Sequence, residues 1–139
     1  MTNENTYNGW TNYATWRVNL EMFDGFSIDC HWEHEEWKEM LNKAIREAVE
    51  KSPDDLIDNQ PARVFWFKAT ITTKIADYLK ELVNQSLEYL GKKDRIAQGW
   101  ASAFVDQANF REIAEHLLVD DSMYKQALAN VEAGAEEIL

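Results

Sequence analysis

The chain has 139 residues, 45% of them hydrophobic, with six Trp, six Phe and five Tyr. That is the length of one domain, with enough apolar mass to build a core. Twenty-five acidic residues against 14 basic ones give a formal charge of −11, and such a surface repels nucleic-acid phosphates and anionic lipid and is drawn to basic grooves. No window comes near the roughly 18 unbroken apolar residues of a bilayer span.

Residues 1–11 read as a polar lead-in that ends in Tyr7 and Trp10 around the turn dipeptide Asn8-Gly9. Asn12 can cap a helix in which Tyr13, Trp16, Leu20 and Phe23 fall at helical spacing. Trp16, Val18, Leu20 and Met22 also alternate, so a strand near Arg17 to Phe23 is the rival reading. After an Asp24-Gly25 turn, Asp29 is the cap expected for a helix that reaches Lys51, with Trp37, Leu41, Ala44, Ile45 and Ala48 on one face and Pro53 ending it.

From Ala62 to Leu90 the apolar positions Val64, Phe67, Ile71, Ile75, Leu79 and Leu82 keep a helical period, and Gly91 is the expected stop. The β-branched and aromatic run Arg63 to Thr73 is the second place for a short strand. Asp94 caps a helix expected to turn Ala97, Trp100, Ala101, Phe104, Val105 and Ala108 inward. Asn109 followed by Glu112 has the spacing of a capping box and opens a helix through Phe110, Ile113, Ala114, Leu117 and Leu118. A last amphipathic piece carries Met123, Ala127, Leu128 and Val131. The expectation is a mainly α fold, a compact bundle of five to six helices in one domain over residues 1–139. It leaves room for a small β element and a frayed end at residues 134–139.

The lone Cys30 has no partner for an intrachain disulfide, and the polar start Met1 to Thr6 lacks the basic and apolar runs of a signal peptide, so a reducing cytoplasm is the expected compartment. Cys30, His31 and His34 offer a soft sulfur and two imidazoles within five residues, the donor types zinc takes. A closed site needs a fourth ligand, and His-Trp-Glu-His is not a conventional spacing; no metal or cofactor is therefore assigned. Nor is there a nucleophile-elbow surround or a glycine-rich phosphate loop. Lys92, Lys93 and Arg95 form the only basic cluster, at the end of a helix where cations are expected on electrostatic grounds.

The densest acidic stretch is the helix bearing Glu33, Glu35, Glu36, Glu39, Glu47 and Glu50. With Trp37, Leu41 and Ala44 inward, Glu35 and Glu39 point outward one turn apart with Glu36 on their flank. The expected partner-binding residues are these three together with Asp54 and Asp55. A solvated helix laced by the pairs Glu39–Lys43 and Glu47–Lys51 accounts for the same pattern.

Two segments, Tyr7-Asn-Gly-Trp-Thr-Asn-Tyr-Ala-Thr-Trp16 and Asn109-Phe-Arg-Glu-Ile-Ala-Glu-His-Leu-Leu118, carry a resemblance. Together they resemble a family of small proteins encoded by phages and plasmids, in which an opening like Asn-Tyr-Glu-Thr-Trp precedes a helix like Asn-Trp-Arg-Glu-Ile-Ala. Here Ala14 stands for the acidic residue and Phe110 for the Trp, changes that keep a packing role. The resemblance implies a mobile-element accessory protein of the bacterial cytoplasm. By analogy with anti-CRISPR and anti-restriction proteins, it implies one that binds a host defence protein or nuclease complex with a basic nucleic-acid channel, without touching nucleic acid or membrane.

Overall fold

The computed structural model describes residues 6–23, 34–56, 58–135 and 137–139, and of His34 the backbone alone. Among them are six α-helices and no strand: α1 (Tyr13–Val18), α2 (His34–Glu50), α3 (Gln60–Lys93), α4 (Arg95–Val105), α5 (Phe110–Val119) and α6 (Ser122–Glu132). A π-helical turn, Asn19–Phe23, prolongs α1, and a 3-10 turn, Asp54–Leu56, precedes α3. None of these helices is long and apolar enough to cross a membrane. The cap predicted at Asp29 and the Asp24-Gly25 turn lie outside the described residues.

Side-chain caps fix the helix starts. Asn12, Asn59, Asp94, Asn109 and Asp121 each accept a hydrogen bond from a backbone N–H in the first turn of the following helix. Both segments with β-branched or alternating character are helical, because each is launched by such a cap and each finds a helical apolar face. In α3 that face is Phe67, Ile71, Ile75, Leu79 and Val83.

Helix α3 is the spine, 34 residues or about 51 Å long, and α2, α4, α5 and α6 all pack against it. One continuous apolar cluster joins Trp37, Leu41 and Ile45 of α2 to Ile71, Ile75 and Leu79 of α3, Ile113 and Leu118 of α5, and Ala127 and Val131 of α6. Near the C-terminal end, Ile138 is buried in that cluster and its carbonyl accepts from Asn130 Nδ2 at 2.9 Å.

Gly91 does not stop α3. The helix continues to Lys93 and ends against Asp94, whose N–H donates to the Leu90 carbonyl. The glycine serves a close approach: a Cβ at residue 91 would lie 2.4–2.5 Å from the end of the Gln98 side chain, whose Nε2 donates to the Leu87 carbonyl at 3.1 Å. Gln98 thereby ties α4 back onto the last turns of α3.

Candidate protein-binding surface

On α2 the inward residues are those the period predicts: Trp37, Leu41, Ala44, Ile45 and Ala48 are all buried. Glu35, Glu36 and Glu39 are exposed. Their surroundings differ. Glu36 lies against α3, where its Oε1 accepts from the Tyr78 hydroxyl at 3.4 Å. Asp77 neighbours Tyr78 in the chain and Glu81 lies one turn beyond it, and both are exposed. Glu39 instead borders a shallow hollow with Lys38, Lys43 and Arg46, so its side of the helix is of mixed charge.

Glu47 departs from the expected i,i+4 pairing with Lys51. Its carboxylate is 2.5 Å from Lys74 Nζ on α3, and that hydrogen bond, outweighing partial desolvation, holds the Glu47 carboxyl below the usual carboxylate range. Asp54 and Asp55 are exposed in the 3-10 turn beyond the far end of α2. From Glu39 to Glu50 alone the helix rises about 16 Å, so the five predicted carboxylates do not form one compact patch.

Cys30 and His31 lie outside the described residues, as does the side chain of His34. Among the described residues no three His, Cys, Asp or Glu side chains gather as metal ligands would. His116 is exposed, its ring stacked on Trp10 with centroids 4.0 Å apart.

The two segments behind the family resemblance meet in space. Asn12 Oδ1 accepts from both the N–H and the hydroxyl of Thr15, while Asn12 Nδ2 donates to the Gln107 carbonyl at 2.9 Å. The Thr15 hydroxyl in turn accepts from the Asn109 N–H at 2.8 Å. Asn109 caps α5 through the Glu112 N–H, as its position predicts. The second half of the expected capping box is redirected: the Glu112 carboxylate takes the N–H and hydroxyl of Thr11, each at 2.8 Å. These motif residues build a joint between the N-terminal segment and α5, a packing role. The Asn-x-x-Thr and Asn-x-x-Glu spacings are its visible trace in the sequence; Thr11 and Thr15 gave no other signal.

The aromatic residues of that joint are less buried than their spacing suggests. Tyr13 is 46% exposed and Trp16 is half-buried, because α1 uses Ala14, Thr15 and Val18 as its inner face. Tyr7 packs on both rings, at centroid distances of 5.1 and 4.9 Å, and Tyr13 reaches the half-buried Phe104 at 6.0 Å. Trp37, Phe110 and Ile113 are core residues as expected.

Two surfaces had no counterpart in the sequence reading. An open groove of about 530 Å³ runs between α3, α5 and α6, edged by Phe65, Lys68, Arg111, Val119 and Lys125 and floored by Leu118 and Tyr124. Burial, with smaller contributions from Glu115 and Glu132, raises the Tyr124 phenol above its usual range, so it stays protonated and neutral at neutral pH. The second surface is on α4, where Trp100, expected inward, is 79% exposed and Ile96 is 75% exposed. The inner side of α4 is taken by Ala97, Gln98, Ala101, Phe104 and Val105. In this rotation Gln98 is bonded to the Leu87 carbonyl and Val105 is buried, with Trp100 on the outward side.

No protein-family model matches the chain, and neither a curated protein nor a solved structure matches it.

Proposed function

We propose that the protein acts by stoichiometric binding rather than catalysis, as a phage or plasmid accessory protein of the anti-CRISPR or anti-restriction type. In this reading its acidic side occupies the basic nucleic-acid channel of a host defence protein or nuclease complex in the bacterial cytoplasm. The supporting observation is the Tyr78–Glu36 contact, which sets the acidic start of α2 beside Asp77 and Glu81 of α3. Carboxylates from two rigid helices then share one side of a chain carrying −11 overall. A groove built for phosphates meets such a side with favourable potential. Glu36 lies on that side; Glu35, Glu39, Asp54 and Asp55 are further proposed contacts that would meet the channel outside it.

The test uses the tagged protein to recover its target from bacterial lysate. Recovered complex is then assayed for duplex binding with and without the protein. Wild type should displace the duplex, and its affinity should fall as salt rises. The variant Glu35→Lys/Glu36→Lys/Glu39→Lys should bind weakly and lose most of that salt dependence. Equal affinity and an equal salt slope for the two proteins would remove α2 from the interface. Duplex binding unaffected by the wild-type protein would overturn the reading as a whole.

A second reading is favoured by a separate observation, the cluster of the exposed Tyr7 and Tyr13 with the half-buried Trp16, and Phe104 at its edge. It is binding to some other protein through aromatic contact, without imitation of nucleic acid. Affinity insensitive to salt but abolished by Tyr13→Ala would decide for it.

A further inference from the structure

Helix α4, Arg-Ile-Ala-Gln-Gly-Trp-Ala-Ser-Ala-Phe-Val, is apolar on nearly every side. A helix of that kind is ordinarily buried all round. Here its inner side packs on α3 and α1, while Ile96, Gly99, Trp100 and Ala103 form an exposed apolar stripe at positions i, i+3, i+4 and i+7.

Gly99 sharpens the question. Glycine inside a helix is unfavourable, and Gly91 has a reason within the chain because Gln98 fills the space of its missing Cβ. Gly99 has none: a Cβ there would meet nothing within 4 Å. The open space above Gly99 is the kind that lets a second backbone come close.

We propose that this stripe is the interface of a two-fold symmetric homodimer in which α4 packs antiparallel on α4 of a second copy. The stripe is complementary to itself, as a two-fold interface must be, since one face holds both the knobs, Trp100 and Ile96, and the gaps, Gly99 and Ala103. With the axis between residues 99 and 100, Trp100 covers Gly99 of the second copy and Ile96 covers its Ala103. The charges on the flank follow the same symmetry. Arg95 and Asp106 are exposed on one flank at opposite ends of α4, and neither has an ion pair within the described residues. Antiparallel packing brings each Arg95 level with Asp106 of the other copy, within about 3 Å along the axis.

The stripe and its flanks cover on the order of 400–500 Å² per copy, about half of a standard interface, so the dimer is a weak one. It forms between roughly micromolar and millimolar concentration.

Sedimentation equilibrium of the full chain, from about 10 µM to 1 mM, reads the association directly. The wild type should pass from monomer toward dimer mass across that range. Gly99→Ala should raise the dissociation constant about tenfold or more by forcing the helices apart, although alanine is the better helix former and the monomer keeps its fold. Trp100→Glu should abolish association. Arg95→Asp and Asp106→Arg should each weaken it several-fold, and the double exchange should restore it; each single change suits the dipole at its own helix end, so folding is not at risk. A chain that is monomeric throughout the range overturns the proposal. So does a dimer indifferent to both Gly99→Ala and Trp100→Glu, and so does a charge exchange that fails to restore association.

Discussion

The backbone N–H of Asn109 donates to the hydroxyl of Thr15 at 2.8 Å, across 94 residues of sequence. Thr15 is fully buried and its hydroxyl also donates to Asn12 Oδ1, so one small side chain satisfies the caps of both α1 and α5. Thr15→Val keeps the shape and leaves the Asn109 N–H without its acceptor. The expected cost is about 1–3 kcal/mol in urea unfolding, with Thr15→Ser closer to wild type. Equal stability for Val and wild type would show that water or another group replaces the hydroxyl.

Trp37 and Asp121 make a second long-range pair. The indole Nε1 donates to Asp121 Oδ2 at 3.0 Å, while Asp121 Oδ1 caps α6 through the Tyr124 N–H at 2.8 Å. Both side chains are buried. Trp37→Ala should cost about 3–5 kcal/mol, the range for a large core aromatic. Trp37→Phe keeps an aromatic ring but removes the hydrogen bond and part of the buried volume, and should cost less than Trp37→Ala, about 1–3 kcal/mol. Trp16→Ala, at a half-buried position, should cost clearly less than Trp37→Ala; a thermal melt of the three variants gives the order.

Glu47 and Lys74 should make stability depend on acid pH. The folded-state carboxyl of Glu47 is depressed, so its contribution is present above the unfolded-state carboxylate range and is lost as pH falls through the lower, folded-state value. Melting temperature followed from neutral pH down to about pH 2 should fall less steeply in Glu47→Gln than in wild type at the acid end. Parallel curves would mean that the pair is too well solvated to matter.

The two glycines of the α3–α4 corner should respond differently to alanine. At dilute, monomeric concentration Gly99→Ala should stabilise by about 0.5–1 kcal/mol, the propensity gain in an open helix position. Gly91→Ala should gain less, or lose, since the new methyl must push the Gln98 amide away from the Leu87 carbonyl. Equal gains at both positions would mean that the Gln98 contact carries no stability.

The sequence by itself determined the starts of α1, α4 and α5, capped at Asn12, Asp94 and Asn109, and the inner faces of α2, α3, α5 and α6. Those features are local, since a capping side chain reaches only two or three residues ahead and an apolar period of 3.6 marks a face wherever the helix lies. Only the tertiary structure decided which way α1 and α4 rotate, where α3 ends and whom Glu112 serves. Helix α4 is apolar nearly all round, so periodicity names no inward side. In α1 the aromatic period of Tyr13 and Trp16 names one side, but the structure buries Ala14, Thr15 and Val18 instead, with Thr15 beneath Asn109 and Gln98 bonded to Leu87 at the two contacts. Gly91 reads as a stop until Gln98 fills the space where its side chain would be. Glu112 reads as half of a capping box until Thr11, 101 residues away, presents a hydroxyl and an N–H to its carboxylate. A long-range polar contact satisfies a local group that propensity would have satisfied locally, and no spacing along the chain records that exchange.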